Sequence, residues 1–162
     1  MSEDPAKGRS PDDVDLGPLS DSLGFLLRLS QLASFRDFFD RFDDLGIRPG
    51  EVSVLMLVGR NPGVRQGVLA RQLMIKRAHM TKMARAMEDD GLITRSVPDD
   101  DKRSVELWLT EKGAERVDRL REPFLAHEAR PVPGLTAREA ETLKRLLRKY
   151  LDLPQDPKDS RP

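Results

Sequence analysis

The sequence predicts a mainly α-helical protein with one small β-hairpin. Apolar residues recur at steps of three and four along most of the chain, which is the period of one helix face. Two short runs, 93–97 and 105–109, alternate instead between apolar and polar residues, as paired strands do. The chain has 162 residues, and this length predicts one domain or two small ones, with enough residues to bury a real core.

The first helix is expected to run from about Leu19 to Asp44. Four of the six phenylalanines fall within positions 35–42. This apolar load exceeds what a helix covering a small core requires, so the helix should bury against a partner chain or line a pocket. An ordinary core helix is the alternative. In either case, the apolar face of this first helix consists of Phe25, Leu29, Leu32, Phe35, Phe39 and Phe42.

Two shorter helices follow the break at Leu45-Gly46. Pro49 in a first turn and Glu51 near the positive end of the helix dipole indicate a second helix that ends at about Val58. Asn61-Pro62-Gly63 interrupts the chain again. A short amphipathic helix then contains Val68, Leu69, Leu73 and Met74.

A longer helix is predicted from Arg77 to Asp90, after a tight connection at Met74-Ile75. Gly91 stands where a left-handed C-cap is needed. The inward face of this helix should consist of Met80, Met83, Ala84 and Met87.

The hairpin and two helices complete the chain. A polar loop, 98–103, separates the two strands, and Thr110 can cap the next helix, which Pro131 and Pro133 close. Residues 136–139 form a capping box at the start of the last helix. Apolar positions in these helices are Ala114, Val117, Leu120 and Phe124, and then Ala140, Leu143, Leu147 and Leu151 as a buried stripe.

Charge is segregated along the chain, although the formal net charge is zero. Residues 1–44 hold ten acidic and five basic residues, whereas 60–87 hold seven basic residues and no acidic one. Because screening confines each charge to about 8–10 Å, such a basic stretch can bind phosphate in a neutral protein. A solvated basic helix face is the alternative. The basic residues are Arg60, Arg65, Arg71, Lys76, Arg77, Lys82 and Arg85.

Two short helices, a tight turn and a hairpin together predict a winged helix-turn-helix. Here the sequence resembles the MarR family of bacterial transcriptional regulators. Residues 87–95, MEDDGLITR, match the family pattern L-E-x-x-G-L-V-x-R. Asp101-Lys102-Arg103 and then 109–113, LTEKG, match D-x-R and L-T-x-x-G. The order of helices from Leu23 to Leu151 also fits, so the resemblance covers nearly all of the ordered chain.

The resemblance implies an obligate homodimer whose first and last helices intertwine and whose two winged units bind a pseudo-palindromic double-stranded DNA operator. The two recognition helices should lie about one DNA turn apart. The expected organisation is a disordered tail over 1–18, a dimerisation helix over 19–48, a winged helix-turn-helix domain over 49–113, dimerisation helices over 114–153 and a disordered tail over 154–162.

The resemblance also places the DNA-binding residues on the helix from Arg77 and on the wing. Arg103 corresponds to the family's minor-groove arginine, and Asp101 is placed to orient it by a charge-assisted hydrogen bond; one exposed ion pair is the alternative. Three acids at 99–101 are unfavourable beside phosphate unless only the last is held inward. The predicted DNA-binding set is Arg65, Lys76, Arg77, His79, Thr81, Lys82, Arg85, Asp101 and Arg103.

Family members often bind aromatic acids or phenolics between the dimer helices and the DNA-binding lobe. Residues 23–29 and 48–51 resemble the branch that responds to aromatic acids or their CoA thioesters. An effector would then release a repressor from promoter DNA, while the alternative is that the phenylalanines form only dimer core. The candidate effector-binding residues are Arg28, Arg36, Phe38, Phe39, Arg41 and Phe42.

Several other functions lack support in the sequence. The chain has no cysteine, two histidines and no glycine-rich phosphate loop, so we expect no enzyme, no metal site, no cofactor and no thiol-based sensing. Apolar runs are too short to span a membrane and no secretory signal is visible, so a cytoplasmic protein is expected. A protein-interaction module and an effector-independent DNA-binding protein remain as alternative functions.

Overall fold

The computed structural model describes residues 14–42, 46 and 49–155. This part is mainly helical with a small antiparallel sheet, so the predicted fold class is confirmed. The chain divides into two compact units between Val54 and Leu55. Most of the predicted tails, the helix end at Leu45 and the side chains of Phe39 and Arg41 lie outside the described residues. The elements are a 3₁₀ helix Gly17–Asp21, α1 Leu23–Phe42, α2 Pro49–Arg60, β1 Val64–Arg65, α3 Gln66–Gln72, α4 Arg77–Asp89, β2 Ile93–Ser96, β3 Glu106–Leu109, α5 Glu111–Glu128 and α6 Ala137–Tyr150.

The first unit begins with the 3₁₀ helix, and the single helix expected from about Leu19 is therefore divided. Pro18 lies in the first turn of the 3₁₀ helix, where its fixed φ is compatible with helical backbone. The Ser22 hydroxyl accepts a hydrogen bond from the Phe25 backbone N–H at 3.5 Å and so caps α1. As a result α1 begins at Leu23.

The solvent exposure of the apolar face predicted for α1 changes along the helix. Leu29, Leu32 and Phe35 are exposed. Phe38 and Phe42 are 7% and 2% exposed, and their rings stack with centroids 4.2 Å apart. Exposed leucines over much of a helix are typical of a surface that a further protein chain covers.

The second unit is built on α3, α4 and the sheet. Met80, Ala84 and Met87 of α4 are buried as predicted, at the three- and four-residue spacing of one helix face, while Met83 is half-buried. These side chains lie in a core of aliphatic and methionine residues from every helix of the unit except α6. The other core residues are Leu55, Val58, Leu69, Ala70, Ile93, Leu107, Val117 and Leu120.

The sheet has three strands in the order β1-β3-β2, one more than the predicted hairpin. In β2 and β3, Ile93 pairs with Leu109 and Ser96 with Glu106. The additional strand, β1, contains only two residues and pairs with β3 through Val64 and Leu107. Two residues cannot show an alternating pattern, so β1 is defined by its long-range pairing rather than by its own sequence.

Near the start of α5, the buried residue is not the one that the sequence predicts. Ala114 is exposed, whereas Gly113, one position earlier, is buried; Val117 and Leu120 are buried and Phe124 is half-buried. The Thr110 hydroxyl accepts from the Gly113 N–H at 3.0 Å, which confirms the predicted N-cap.

Helix α6 has the predicted capping box but not the predicted buried stripe. The Thr136 hydroxyl accepts from the Glu139 N–H at 3.3 Å, and the Glu139 carboxylate accepts from the Thr136 N–H at 2.8 Å. Leu143 and Leu151 are 44% and 42% exposed, and Ala140 and Leu147 are only half-buried. The expectation of a buried stripe is therefore wrong for the described part of the single chain, in which these four side chains are exposed or half-buried.

Candidate nucleic-acid interface

One face of α4 is basic and exposed. Because Met80, Ala84 and Met87 anchor the opposite face in the core, the intervening positions point to solvent. None of the exposed basic side chains forms an ion pair or hydrogen bond with another residue in the described ranges. Their charges are therefore free for an external anion. They are Arg77, His79, Lys82 and Arg85, with Lys76 exposed at the N-cap.

The turn between α3 and α4 fixes the angle at which α4 is presented. The Ile75 N–H donates to the Ala70 carbonyl at 3.0 Å, and the Met74 N–H donates to the Arg71 carbonyl at 3.0 Å. Met74 adopts a left-handed conformation, φ +53°, and its side chain is 78% exposed. A non-glycine residue in this conformation is strained, so the turn is maintained by these hydrogen bonds and by the packing of α3 on α4.

A side-chain hydrogen bond also joins the two helices. Gln66, the first residue of α3, donates from Nε2 to Thr81 Oγ1 at 2.9 Å. The sequence reasoning identified Thr81 but missed Gln66. No sequence signal marks Gln66, because its contact is fifteen residues away in the chain and forms only when α3 packs on α4.

A groove of about 440 Å³ lies between α3, α4 and the wing loop, which is the segment 97–105 between β2 and β3. Four of the residues that line it are arginines and one is an acid. Of the predicted DNA-binding residues, the groove brings together five: Arg65, Arg77, Thr81, Asp101 and Arg103. The other lining residues are Gln66, Gly67, Val68, Ala70, Arg71, Ser104 and Val105.

Each acid of the wing loop, 99–101, has a basic or backbone partner. Asp99 pairs with Lys102 at 2.6 Å. Asp100 pairs with Arg65 at 2.5 Å. These two contacts pair two of the three acids with cations within the second unit, so the three successive acids at the predicted DNA surface do not leave three unpaired negative charges.

The contact expected between Asp101 and the Arg103 side chain is replaced by others. Asp101 Oδ1 accepts from the Arg103 backbone N–H at 3.0 Å, and Oδ2 lies 3.8 Å from Arg65 Nη1. The expectation of a paired guanidinium is wrong because the tight turn brings the backbone of Arg103, not its side chain, to the carboxylate. Arg103 is left exposed, without a side-chain partner among the described residues.

The motif at 87–95 closes α4 onto the sheet. Glu88 Oε2 accepts a hydrogen bond from Arg95 Nε at 2.8 Å and lies 2.7 Å from Arg95 Nη2, and this ion pair ties α4 to β2. Gly91 has φ +68°, and the N–H of Leu92 donates to the Met87 carbonyl at 2.8 Å. This is a Schellman C-cap, which satisfies the carbonyls at the end of α4 and turns the chain into β2.

The candidate effector-binding residues are described only in part. Arg28 and Arg36 are exposed on α1, and Phe38 and Phe42 form the buried stacked pair. The side chains of Phe39 and Arg41 lie outside the described residues.

The described residues offer neither a metal site nor a membrane-spanning helix. They contain no group of three or more His, Cys, Asp or Glu residues arranged to hold a metal ion. No helix among them is long and apolar enough to cross a membrane.

Residues 47–105 match the MarR family. The chain is 30% identical over 134 residues to a protein of Thauera aromatica named as a transcriptional regulatory protein for the hcr operon, covering 82% of this chain and 81% of that protein. The structure of this chain resembles that of the transcriptional repressor CouR bound to a 23-mer DNA duplex. The TM-score is 0.76 at 32% identity, and the match covers 86% of this chain and 99% of CouR. CouR bound to p-coumaroyl-CoA matches with a TM-score of 0.75, 31% identity and coverage of 86% and 98%.

Proposed function

Because the chain belongs to the MarR family of transcriptional regulators, we propose that it is a repressor that binds a pseudo-palindromic operator as a homodimer and is released by a small aromatic acid or its CoA thioester. The observation that carries the proposal is the basic face of α4, whose side chains have no partner within the described chain. A transcriptional regulator acts where the chromosome is, so this function implies a cytoplasmic location.

The proposed DNA contacts use two separate elements. Helix α4 supplies Arg77, Lys82 and Arg85 for phosphates and base edges in the major groove. The wing supplies Arg103, which is exposed and unpaired among the described residues, for the neighbouring backbone or minor groove. Guanidinium groups suit this surface because they form two parallel hydrogen bonds with phosphate or with guanine.

The proposed homodimer is supported by apolar surface on two helices. On α1, Leu23, Leu29 and Leu32 are exposed; on α6, Leu143 and Leu146 are exposed. Apolar side chains at helical spacing on the surface of a protein chain favour burial against another chain. We propose dimerisation regions over 19–48 and 114–153, on either side of a winged helix-turn-helix domain over 49–113.

The proposed effector rests on the similarity to CouR and on the composition of α1. A structure about one-third identical to this chain binds p-coumaroyl-CoA. Arg28 and Arg36 on α1 can pair with a carboxylate or phosphate, and the stacked Phe38 and Phe42 lie on the same helix. Effector binding would alter the separation of the two recognition helices, and a coupling free energy of about 1–3 kcal/mol is sufficient.

Fluorescence anisotropy with a labelled operator duplex, at salt concentrations from about 50 to about 200 mM, tests the DNA-binding surface. Arg85→Ala should weaken binding and reduce the log–log salt slope by about one, since one phosphate contact is lost. Arg119→Ala on α5 removes the same charge from another exposed site and serves as the control. Affinity that is insensitive to salt would contradict DNA binding and favour a protein-docking module.

The same assay tests the effector. An aromatic acyl-CoA should release the duplex at concentrations at which free CoA and an aliphatic acyl-CoA do not. Unchanged anisotropy with aromatic acyl-CoA and with the free aromatic acids would remove the effector from the proposal and leave an effector-independent DNA-binding protein.

A further inference from the structure

The hydrogen bond between Gln66 and Thr81 leaves the Thr81 hydroxyl as a donor toward the protein groove that both side chains line. Gln66 Nε2 is the donor and Thr81 Oγ1 is the acceptor, at 2.9 Å. A hydroxyl oxygen that accepts a hydrogen bond keeps its own proton for donation. Both side chains line the groove between α3, α4 and the wing loop.

Two other hydroxyl groups in α-helices of the described chain donate their proton to the backbone. Ser30 donates to the Leu26 carbonyl and Thr142 donates to the Arg138 carbonyl, each at 2.8 Å and each four residues back. Such bonding is the usual alternative for a threonine inside a helix. Thr81 forms no such bond, and its hydroxyl donates to no residue in the described part of the chain.

The Gln66 carboxamide is itself incomplete. Its Oε1 is buried and has no hydrogen-bond partner in the described part of the chain. A buried acceptor without a partner is rare in a folded protein and points to a bound molecule or solvent that completes it. Completing Oε1 requires a donor such as water, because phosphate oxygens only accept hydrogen bonds. The neighbouring groove walls carry Arg71 and Arg77, and their positive charge independently favours an anionic polymer in the groove.

We propose that Gln66 is a positioning residue for operator specificity: it holds Thr81 so that the Thr81 hydroxyl donates to a base-edge acceptor in the major groove. Guanine, adenine and thymine present such acceptors, whereas cytosine presents an amino donor. Because Gln66 already occupies one of the two Oγ1 lone pairs, the Gln66–Thr81 pair favours a base-edge acceptor over the cytosine amino group at one position of each half-site. This inference rests on the proposed DNA-binding function and extends it to a residue that carries no charge.

The test compares Gln66→Met, Thr81→Val and the double variant by anisotropy on the operator and on duplexes with each base substituted singly. Methionine keeps the length of glutamine but cannot donate, and valine keeps the shape of threonine without the hydroxyl. Each single variant should lose about three- to ten-fold in operator affinity, the range for one hydrogen bond. Both should lose base discrimination at the same position, and the double variant should bind no more weakly than Thr81→Val.

Controls separate this role from a purely structural one. Gln72→Met changes the same residue type on the exposed end of α3 and should bind like the wild type. Thr81→Ser restores the hydroxyl and should keep the base preference. Thermal unfolding of every variant measures any loss of stability independently of DNA.

Three results would overturn the inference. The first is a Gln66→Met protein with wild-type base preference. The second is an equal loss on all duplexes, which would indicate a phosphate contact. The third is additive losses in the double variant, which would show that the two residues act independently. A wild-type protein that binds operator and scrambled duplex equally would instead overturn the proposed function, and this inference with it.

Discussion

Gly113 lies where the start of α5 meets the turn before β2. A Cβ atom at this position would lie 1.9 Å from the Leu92 carbonyl oxygen and 3.3 Å from Leu109 Cδ2. The Leu92 oxygen cannot move freely, because it also accepts from the Thr110 N–H at 3.1 Å. The motif L-T-x-x-G therefore has a structural role. Its threonine, Thr110, caps α5, and its glycine, Gly113, allows the backbone carbonyl of Leu92 to approach α5.

Gly113→Ala should reduce the free energy of unfolding by about 2–4 kcal/mol, because the methyl group displaces buried backbone. Urea unfolding followed by circular dichroism measures the change. Gly67→Ala in α3 is the matched control: no atom lies within 4 Å of its added Cβ, so its stability should stay the same or rise by up to about 1 kcal/mol. A Gly113→Ala protein as stable as the wild type would contradict the close approach.

The sequence identified individual residues best where their role is local. Thr110 and the capping box at Thr136 and Glu139 were predicted because a cap and its partner lie three residues apart. Gln66 was missed, and the partner of Asp101 was wrongly predicted, because these contacts depend on how distant segments or a tight turn place the atoms.

At the scale of elements, the wing loop is connected to the start of α3 through Arg65. This side chain is paired with Asp100 at 2.5 Å and lies 3.8 Å from Asp101, so its charge is partly compensated. Phosphate contact by Arg65 competes with these carboxylates. The acidic loop therefore reduces the positive charge of the groove in the free protein.

Asp100→Asn should increase operator affinity by about two- to five-fold, because it removes a negative charge near phosphate and releases Arg65 from an exposed ion pair. Anisotropy titration at one fixed salt concentration measures the change. Asp118→Asn, which neutralises an exposed acid on α5, should have a smaller effect. Equal effects from the two variants would show that only net charge matters.

The start of α6 contains a carboxyl group with a shifted pKa. Hydrogen bonds from the Thr136 hydroxyl and backbone lower the pKa of Glu139 below its ordinary value of 4.5. Because the folded-state pKa is the lower one, the charged cap stabilises the helix at pH values above 4.5. That contribution is lost as the pH falls through the folded-state pKa.

NMR titration of the Glu139 carboxyl group should give a pKa below 4.5 in the wild type and a higher value in Thr136→Ala, which lacks the donating hydroxyl. An unchanged Glu139 pKa in Thr136→Ala would contradict the capping box.

Elements were predicted from sequence where they are long and periodic. The spacing identified α4, and its buried methionines were correctly assigned. The pattern could not identify β1, which has two residues, and it could not show whether an apolar stripe is covered by the same chain. Among the described residues, the stripe of α6 is exposed or half-buried, which the periodicity alone did not indicate.

For the whole molecule, the exposed leucines of α1 and α6 predict a homodimer, the form in which two recognition helices can reach two half-sites. Light scattering after gel filtration should give twice the chain mass of 18.3 kDa. Leu32→Glu or Leu146→Glu should shift the mass toward the monomer, since a carboxylate is costly in an apolar interface.

Val97→Glu is the matched control for the dimer, because Val97 is an exposed apolar residue next to the wing strand β2 and outside both helices. It should keep the wild-type mass. A wild-type protein that runs as a monomer at micromolar concentration, or a dimer that tolerates both charged variants, would contradict the assignment of these helices to the interface.

Selection of genomic DNA fragments by the purified protein, at about 150 mM salt, tests the central claim most directly, since phosphate attraction alone is weak at that concentration. Sequencing of the retained fragments should yield an inverted repeat whose half-sites lie about one helical turn apart, as two α4 helices of a dimer require. Recovery of fragments in proportion to their abundance, with no shared repeat, would contradict an operator-binding repressor.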